Sequence, residues 1–559
     1  MNVSSYAKRG VALLCAGLMT VSLAACGGND AALKKKEAIV NIATISTSQL
    51  TENWNPLSPS ASQGTLGVLY EPMFFQNVTG GDTELQPMLG DKYEFSDNGK
   101  ELTITLRDGL KWSDGKPITA DDAVYTFNLI NDNSSLNGIG FHGKAEKIDD
   151  LTFKLTYDEV STVDAISHLT GASIVPKHVF EKMSDITTDV NKNPVTSGAF
   201  TFSEDDFTPQ SYTFRKNKNY YLEGQPYIDG VRYTSYAGGQ ATQDAITGGE
   251  IDWASNVFQD AEKQLKDAPV SYITVPASAQ VLVTCSSAEM GCEGPQTDIA
   301  VRKAIYYGMD RGQLNKLAFY GIFYDSSSSL TSTPENEQYL SQDVPDSTIP
   351  EEANVDKAKQ ILEDAGYTLG SDGIYQKDGV RLSFEVPAIS GWTESINGVD
   401  VAGQQLKKIG IEMKAKQISS NEMSELTSKG DFQILTQNMW YSGSEPYSFY
   451  KTFYSSEMTA KVGEKAQTGW ARYSNPTVDD ALKAINTTTD QATKKTEYAA
   501  IQQAVFDDMP YIPMMRTATM VEFGNDFTGW PTEDNLYAAP ASWNTWDCGV
   551  ILRQLKAAK

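Results

Sequence analysis

The chain has 559 residues, of which 40% are hydrophobic and 10% aromatic, and its formal charge is −26. That length exceeds what one hydrophobic core organises, so two or three lobes are expected. The acidity argues against a nucleic-acid partner, which requires clustered Lys and Arg on the protein, and is mildly compatible with a cationic ligand.

Residues 1–25 read as a secretory signal. Lys8 and Arg9 precede a short apolar run from Val11 to Ala25, too short for a membrane span. Leu23-Ala24-Ala25-Cys26 looks like a bacterial lipobox, so lipidation of Cys26 and cleavage before it are expected. Two acyl chains would hold the mature protein at the cell surface or in the periplasmic space. Residues 26–37 form a tether. With Cys15 removed and Cys26 lipidated, three cysteines remain. An exported protein permits disulfides, and the short loop Ser-Ser-Ala-Glu-Met-Gly between Cys285 and Cys292 suits a local bridge. Cys548 is then odd and expected to be buried. Three free thiols are the weaker alternative. A metal site is weaker still, because no His or CxxC pair accompanies them.

Ala38 to Ile45 alternates weakly, as an opening strand would. Ser46 to Gly64 is a Ser-, Asn- and Pro-rich loop holding Trp54, which is either a ligand-facing aromatic or a lid on the core. Leu102, Ile104 and Leu106 alternate with Thr103, Thr105 and Arg107 and predict a half-buried strand. Turns at Asp108-Gly109 and Asp114-Gly115 follow. Thr119 and Asp122 have capping-box spacing, and Ala120, Ala123, Val124, Phe127 and Ile130 then recur at helical spacing. Further periodicity predicts a strand over 150–157 and a helix from Ala241 that ends at Gly248-Gly249. It also predicts one long helix from Thr297 to Leu317, a helix from Val355 to Ala365 and another from Tyr498 to Met509. The three histidines, His142, His168 and His178, lack ligand spacing and read as surface or satisfied core residues. No nucleophile elbow, zinc motif or phosphate loop is present, so no catalysis, cofactor or metal is expected.

Trp112-Ser113-Asp114-Gly115-Lys116-Pro117, with the strand before it and the capped helix after it, closely resembles the signature of the family 5 solute-binding proteins of bacterial ABC importers. Pro194 to Phe200, Phe214 to Tyr221, Gly249-Glu250-Ile251-Asp252 and Ala365-Gly366-Tyr367 resemble further family segments. The resemblance runs to about Pro513. It implies an α/β fold, a two-lobed periplasmic-binding-protein-like clamp (type II, cluster C) with an extra third domain. Residues 38–69, 194–280 and 514–559 would form lobe I, 70–193 the extra domain and 281–513 the other lobe. The implied function is ligand capture for an ABC permease and its ATPase by a monomeric, lipid-anchored receptor that binds an extended oligopeptide. An oligosaccharide ligand is the alternative within the family; a secreted glycosidase or an adhesin is more remote. The implied ligand edge is Gln437, Asn438, Trp440, Tyr441, Ser442, Gly443, Glu445 and Tyr447, with Trp392, Trp54 and Tyr236 as further aromatic contacts. Glu445 precedes Pro446 where an acid could receive a peptide's amino terminus, or could only cap the turn.

Overall fold

A computed structural model describes residues 37–44, 49–82, 84–96, 99–258, 260–441, 443 and 445–559. The expected signal, the lipidation site Cys26 and the candidate Ser442 lie outside these residues. Among them no helix is long and apolar enough to cross a membrane.

Eight strands form the largest sheet. Their order is Ile434–Met439, Val270–Thr284, Tyr511–Gly524, Trp253–Ala254, Ile39–Ala43, Gly230–Thr234, Ser211–Lys216 and Phe200–Phe207. Val270–Thr284 and Tyr511–Gly524 are antiparallel and far longer than the rest. At one end Tyr511–Gly524 meets the short strand Trp253–Ala254. At the other end Val270–Thr284 meets Ile434–Met439. This strand pair therefore runs between two regions that each pack their own apolar residues. The larger core gathers Val40, Trp112, Phe127, Phe153, Phe214 and Leu552. Two others gather around Ile305, Leu406 and Met514, and around Tyr450, Ile485 and Tyr498. Midway along the pair the register slips, between Pro276 and Ala279 and again between Gln280 and Val281. Such bulges bend a strand and re-aim its side chains.

A separate four-stranded antiparallel sheet contains Glu101–Leu106, whose buried positions are Leu102, Ile104 and Leu106. The helix Ala120–Asp132 follows, and Thr119 and Asp122 do form a capping box. Asp122 also does more than cap. Its carboxylate accepts from the Thr119 and Lys177 backbone N–H groups at 3.0 and 2.9 Å and from the Trp112 indole N–H at 3.4 Å. Ser113 and Thr196 bond each other reciprocally, and the Asn219 side chain donates to the Ser113 carbonyl at 3.0 Å. Three of the segments that carry the family resemblance are thus fastened together at one corner.

The helix Thr162–Gly171 touches the far side of the molecule. The Asn486 side chain accepts from the Val163 backbone at 3.1 Å, and Lys451 pairs with Asp164 at 3.2 Å. The expected single helix over 297–317 is two helices, Ile299–Gly308 and Arg311–Ala318. Met309 is extended between them, and Asp310 starts the second helix by accepting from the Gln313 backbone, so one stripe of apolar residues spans a corner. The final long helix starts earlier than its apolar periodicity indicates, at Gln491, because Asp490 caps it. Cys285 and Cys292 are joined and Cys548 is free and buried. His168 is a core residue: its ring bonds Tyr157 and the Ile139 carbonyl, and burial lowers its pKa to about 4.

Candidate functional site: a cleft at the strand crossing

The register slip places a cavity of about 980 Å³ across the middle of the two long strands. Its floor is Val275–Ser278 and Gln280 with Arg516–Thr519 from the partner strand. Arg516 fixes this floor. Its guanidinium donates to the Ala277 carbonyl inside the slip, to the Thr333 carbonyl, and bidentately to Glu335 at 2.7 and 2.9 Å. Both partners are buried, with side chains 4% and 9% exposed, so the pair is neutral as a unit and fully committed.

One wall carries the sequence candidates. Ile434–Met439 ends the sheet and pairs antiparallel with the floor strand, so alternate residues face alternate ways. Asn438 faces the cleft, whereas Gln437 does not line it and Met439 is packed in the core. Trp440 borders the cleft with 45% of its surface exposed, while its other face packs against Phe453 and Trp470 at 4.9 and 5.9 Å. Packing on one side makes it a rigid platform on the other. Tyr441 lines the cleft between a stacked Phe449 at 4.7 Å and the Arg516 guanidinium at 5.1 Å. Gly443 also borders it, at a positive φ of 75° that favours glycine. Trp392, 42% exposed, reaches the same space from the loop between the strand Ser383–Ile389 and the helix Thr393–Leu406.

Three buried polar atoms on these walls have no hydrogen-bond partner: Asn336 Oδ1, Asn438 Oδ1 and Tyr441 Oη. Each forfeits its solvation unless a ligand or a water bonds it. Gln280, beside them, is satisfied by Thr436 and Ser395.

Four candidates lie elsewhere. Trp54 is fully buried and packs against Phe202, Tyr212 and Phe214 at 4.5 to 5.4 Å, because its loop is pinned by a bond from the Trp54 backbone to Val190. Of the two roles open to it, the core one holds. Glu445 is engaged internally: Lys494 donates to it at 2.7 and 3.0 Å and Tyr498 at 3.0 Å, so its carboxylate already has a cation. Tyr447 is 4% exposed in the core. Tyr236 is half-buried against a small cluster around Ile246 and borders neither cavity described here.

The opposite wall lies outside the sequence candidates. It comes from Ala539–Ala541, Trp543–Thr545 and Asp547. Trp543 is 39% exposed. Burial raises the Asp547 carboxyl to about 6, and the carboxyl accepts from the Ala539 backbone at 2.7 Å. These residues follow Pro513, past the end of the recognisable segments; a Trp in the small-residue string Ala541-Ser542-Trp543-Asn544 was the available signal. Trp392, Trp440 and Trp543 are the tryptophans that stand out as exposed among the described residues, and all three border this one cleft. No group of three His, Cys, Asp or Glu among the described residues could hold a metal ion.

Comparisons with known proteins identify the family and the fold. The oligopeptide-binding protein AppA of Bacillus subtilis (strain 168) is 27% identical over 79% of this chain and 80% of its own length. The glutathione-binding protein GsiB of Escherichia coli (strain K12) is 23% identical over 92% and 95%. Among solved structures, a periplasmic oligopeptide-binding protein of an ABC transporter from Thermotoga maritima superposes with a TM-score of 0.85. It covers 94% of this chain and all of the other at 23% identity. B. subtilis AppA in complex with a nonapeptide superposes with a TM-score of 0.70, covering 93% and 99% at 22% identity. The family description for bacterial extracellular solute-binding proteins, family 5, matches residues 84–461, and the chain belongs to that family.

Proposed function

We propose that this chain is the ligand-capturing lipoprotein of an ABC importer, anchored through Cys26, that closes on an extended oligomer and delivers it to permease and ATPase subunits. The observation that carries this reading is the position of the cleft: it straddles the irregular midpoint of the two strands that connect the separately packed regions. Bending at that midpoint would move one wall against the other, which is how a two-lobed receptor encloses a ligand. The lobe limits given above are part of the proposal, as are a monomeric state and the absence of catalysis.

An oligopeptide is the first reading of the ligand, because AppA is named for that activity and was solved with a nonapeptide. Its main chain would run along Asn438 to Gly443 at the outermost strand of the sheet, a mode that grips any sequence. With Glu445 already paired, the grip would come from main-chain bonds and aromatic walls rather than from a terminal charge. An oligosaccharide is the second reading. Three exposed tryptophans on facing walls favour it, and the T. maritima relative has also been solved with mannohexaose. Calorimetry against a peptide pool and a panel of α- and β-linked oligosaccharides separates the two. Solution scattering tests the receptor reading itself: the radius of gyration should fall when a binding pool is added, and an unchanged radius at saturation would oppose it.

A further inference from the structure

We propose that the cleft continues past the Trp543 loop into a second chamber, and that the two form one site for a ligand segment that is uncharged and has an apolar face. The inference rests on the receptor reading above and names what that receptor would select.

The second chamber measures about 700 Å³. It lies between the loop around Leu57, the helix Ala120–Asp132 at Ile130, the segment Leu136–Ile139 and the start of the helix Thr545–Leu552. It opens to solvent along one side, where Pro59, Ser60 and Gly138 are exposed, and its volume is within the range common for ligand sites. Trp543, Asn544 and Thr545 border both this chamber and the cleft, so one loop is the wall between them. Trp543 is exposed at that junction and would offer a flat face to a chain passing from one side to the other.

Electrostatics define what can enter. The protein carries a net charge of −26, yet no Asp, Glu, Lys, Arg or His is among the described residues lining the chamber. A charged ligand group would give up part of its hydration there and gain no counter-ion from the described lining residues. A neutral group meets Leu57, Ile130 and Ile139 and one orphaned hydroxyl, Ser173 Oγ, which is buried without a partner. In the adjoining cleft, Arg516 is neutralised by Glu335, and the carboxyls of Glu394 and Asp547 also border it, so the exclusion of charge belongs to the second chamber. The chemistry selected there is an uncharged segment with a flat or aliphatic face and occasional hydrogen-bonding groups. A neutral sugar chain satisfies it, as does a peptide stretch with uncharged side chains.

The test uses the full-length protein and two graded series. One contains neutral oligosaccharides of increasing length, the other end-blocked peptides of increasing length made with and without charged side chains. Binding is read by calorimetry. Gly138 borders the chamber and is exposed, and a Cβ added there would meet nothing within 4 Å, so Gly138→Trp sets a bulky side chain at the chamber's rim without a clash at its own Cβ. In the wild type, longer uncharged members of one series should bind at least about tenfold more tightly than short ones. Gly138→Trp and Trp543→Ala should each erase that gain. The series that binds identifies the source of the ligand. Affinity independent of length, a gain that survives Gly138→Trp, or equal binding of charged peptides would overturn the second chamber while leaving the receptor reading intact. Failure of every member of both series to bind would count against both.

Discussion

The corner around Asp122 and the cleft around Asn438 are both built from buried polar side chains, and they differ in whether those side chains are satisfied. At the corner, Asp122 accepts three bonds and Ser113, Thr196 and Asn219 close on one another. In the cleft, Asn336, Asn438 and Tyr441 each keep an unpartnered atom, and three tryptophans face open space. A network with every partner in place holds a fold together, whereas convergent unpartnered groups beside exposed aromatics mark where something else binds. The most recognisable stretch of the sequence is therefore architectural, and the proposed binding surface lies in stretches with weaker signatures.

Substitutions can break this contrast, and the largest effect should come from the corner. Asp122→Ala strands the Trp112, Thr119 and Lys177 donors and should cost about 3 to 5 kcal/mol in denaturant unfolding, with ligand affinity of the surviving folded protein unchanged. A loss of affinity at full folding would make the corner part of the site.

Glu445→Gln leaves the buried Lys494 ammonium without its counter-charge and should cost about 3 kcal/mol in stability. N-acetylation of a peptide ligand should then weaken binding no more in wild type than in the variant. A clear penalty for acetylation in wild type alone would restore Glu445 as a ligand anchor.

Asp547 provides a pH test. Its folded pKa is raised to about 6 from an ordinary 3.8, so the folded state keeps a proton that the unfolded chain releases between these values. Stability should fall as pH rises from about 4 to about 6 and level off above, by roughly 2 to 3 kcal/mol for this group. Asp547→Asn can retain the acceptor for the Ala539 N–H and should lose that pH-dependent increment, which chemical unfolding at a series of pH values would show.

The smallest effects on stability should accompany the largest specific effects on binding. Trp392→Ala and Trp543→Ala should each weaken the ligand about tenfold, or about 1.4 kcal/mol, with thermal unfolding almost unmoved because both side chains are substantially exposed.

Local patterns explain what was legible in the sequence. The alternation over Leu102 to Leu106 and the Thr119/Asp122 spacing each fix a conformation through near neighbours, and both formed as read. The Cys285–Cys292 bridge spans a short loop and was equally local. The apolar stripe continues through the break at Met309 and masks it, although Gly308 before Asp310 with Gln313 following is a stop-and-restart signal. The role of Glu445 is not local, since the bend that holds it meets its cation, Lys494, on the later helix Gln491–Asp508. Trp54 was ambiguous because a loop residue's direction depends on what the loop packs against, here strands that follow some 150 residues later. Trp392, Trp440, Asn438, Tyr441 and Gly443 came together at one cleft, and Trp543 opposite them was overlooked because the C-terminal segment lacked a recognisable pattern.

Hydrogen exchange with and without a binding peptide or sugar pool tests most directly whether the cleft, and not the corner, is where the protein meets its ligand. Protection should appear in peptides covering Val275–Gln280, Gly391–Ser395, Asn438–Tyr441 and Ala539–Thr545, with no change across Trp112–Ile130. Protection concentrated at the corner, or absent from the strand crossing when the protein is saturated, would contradict the account.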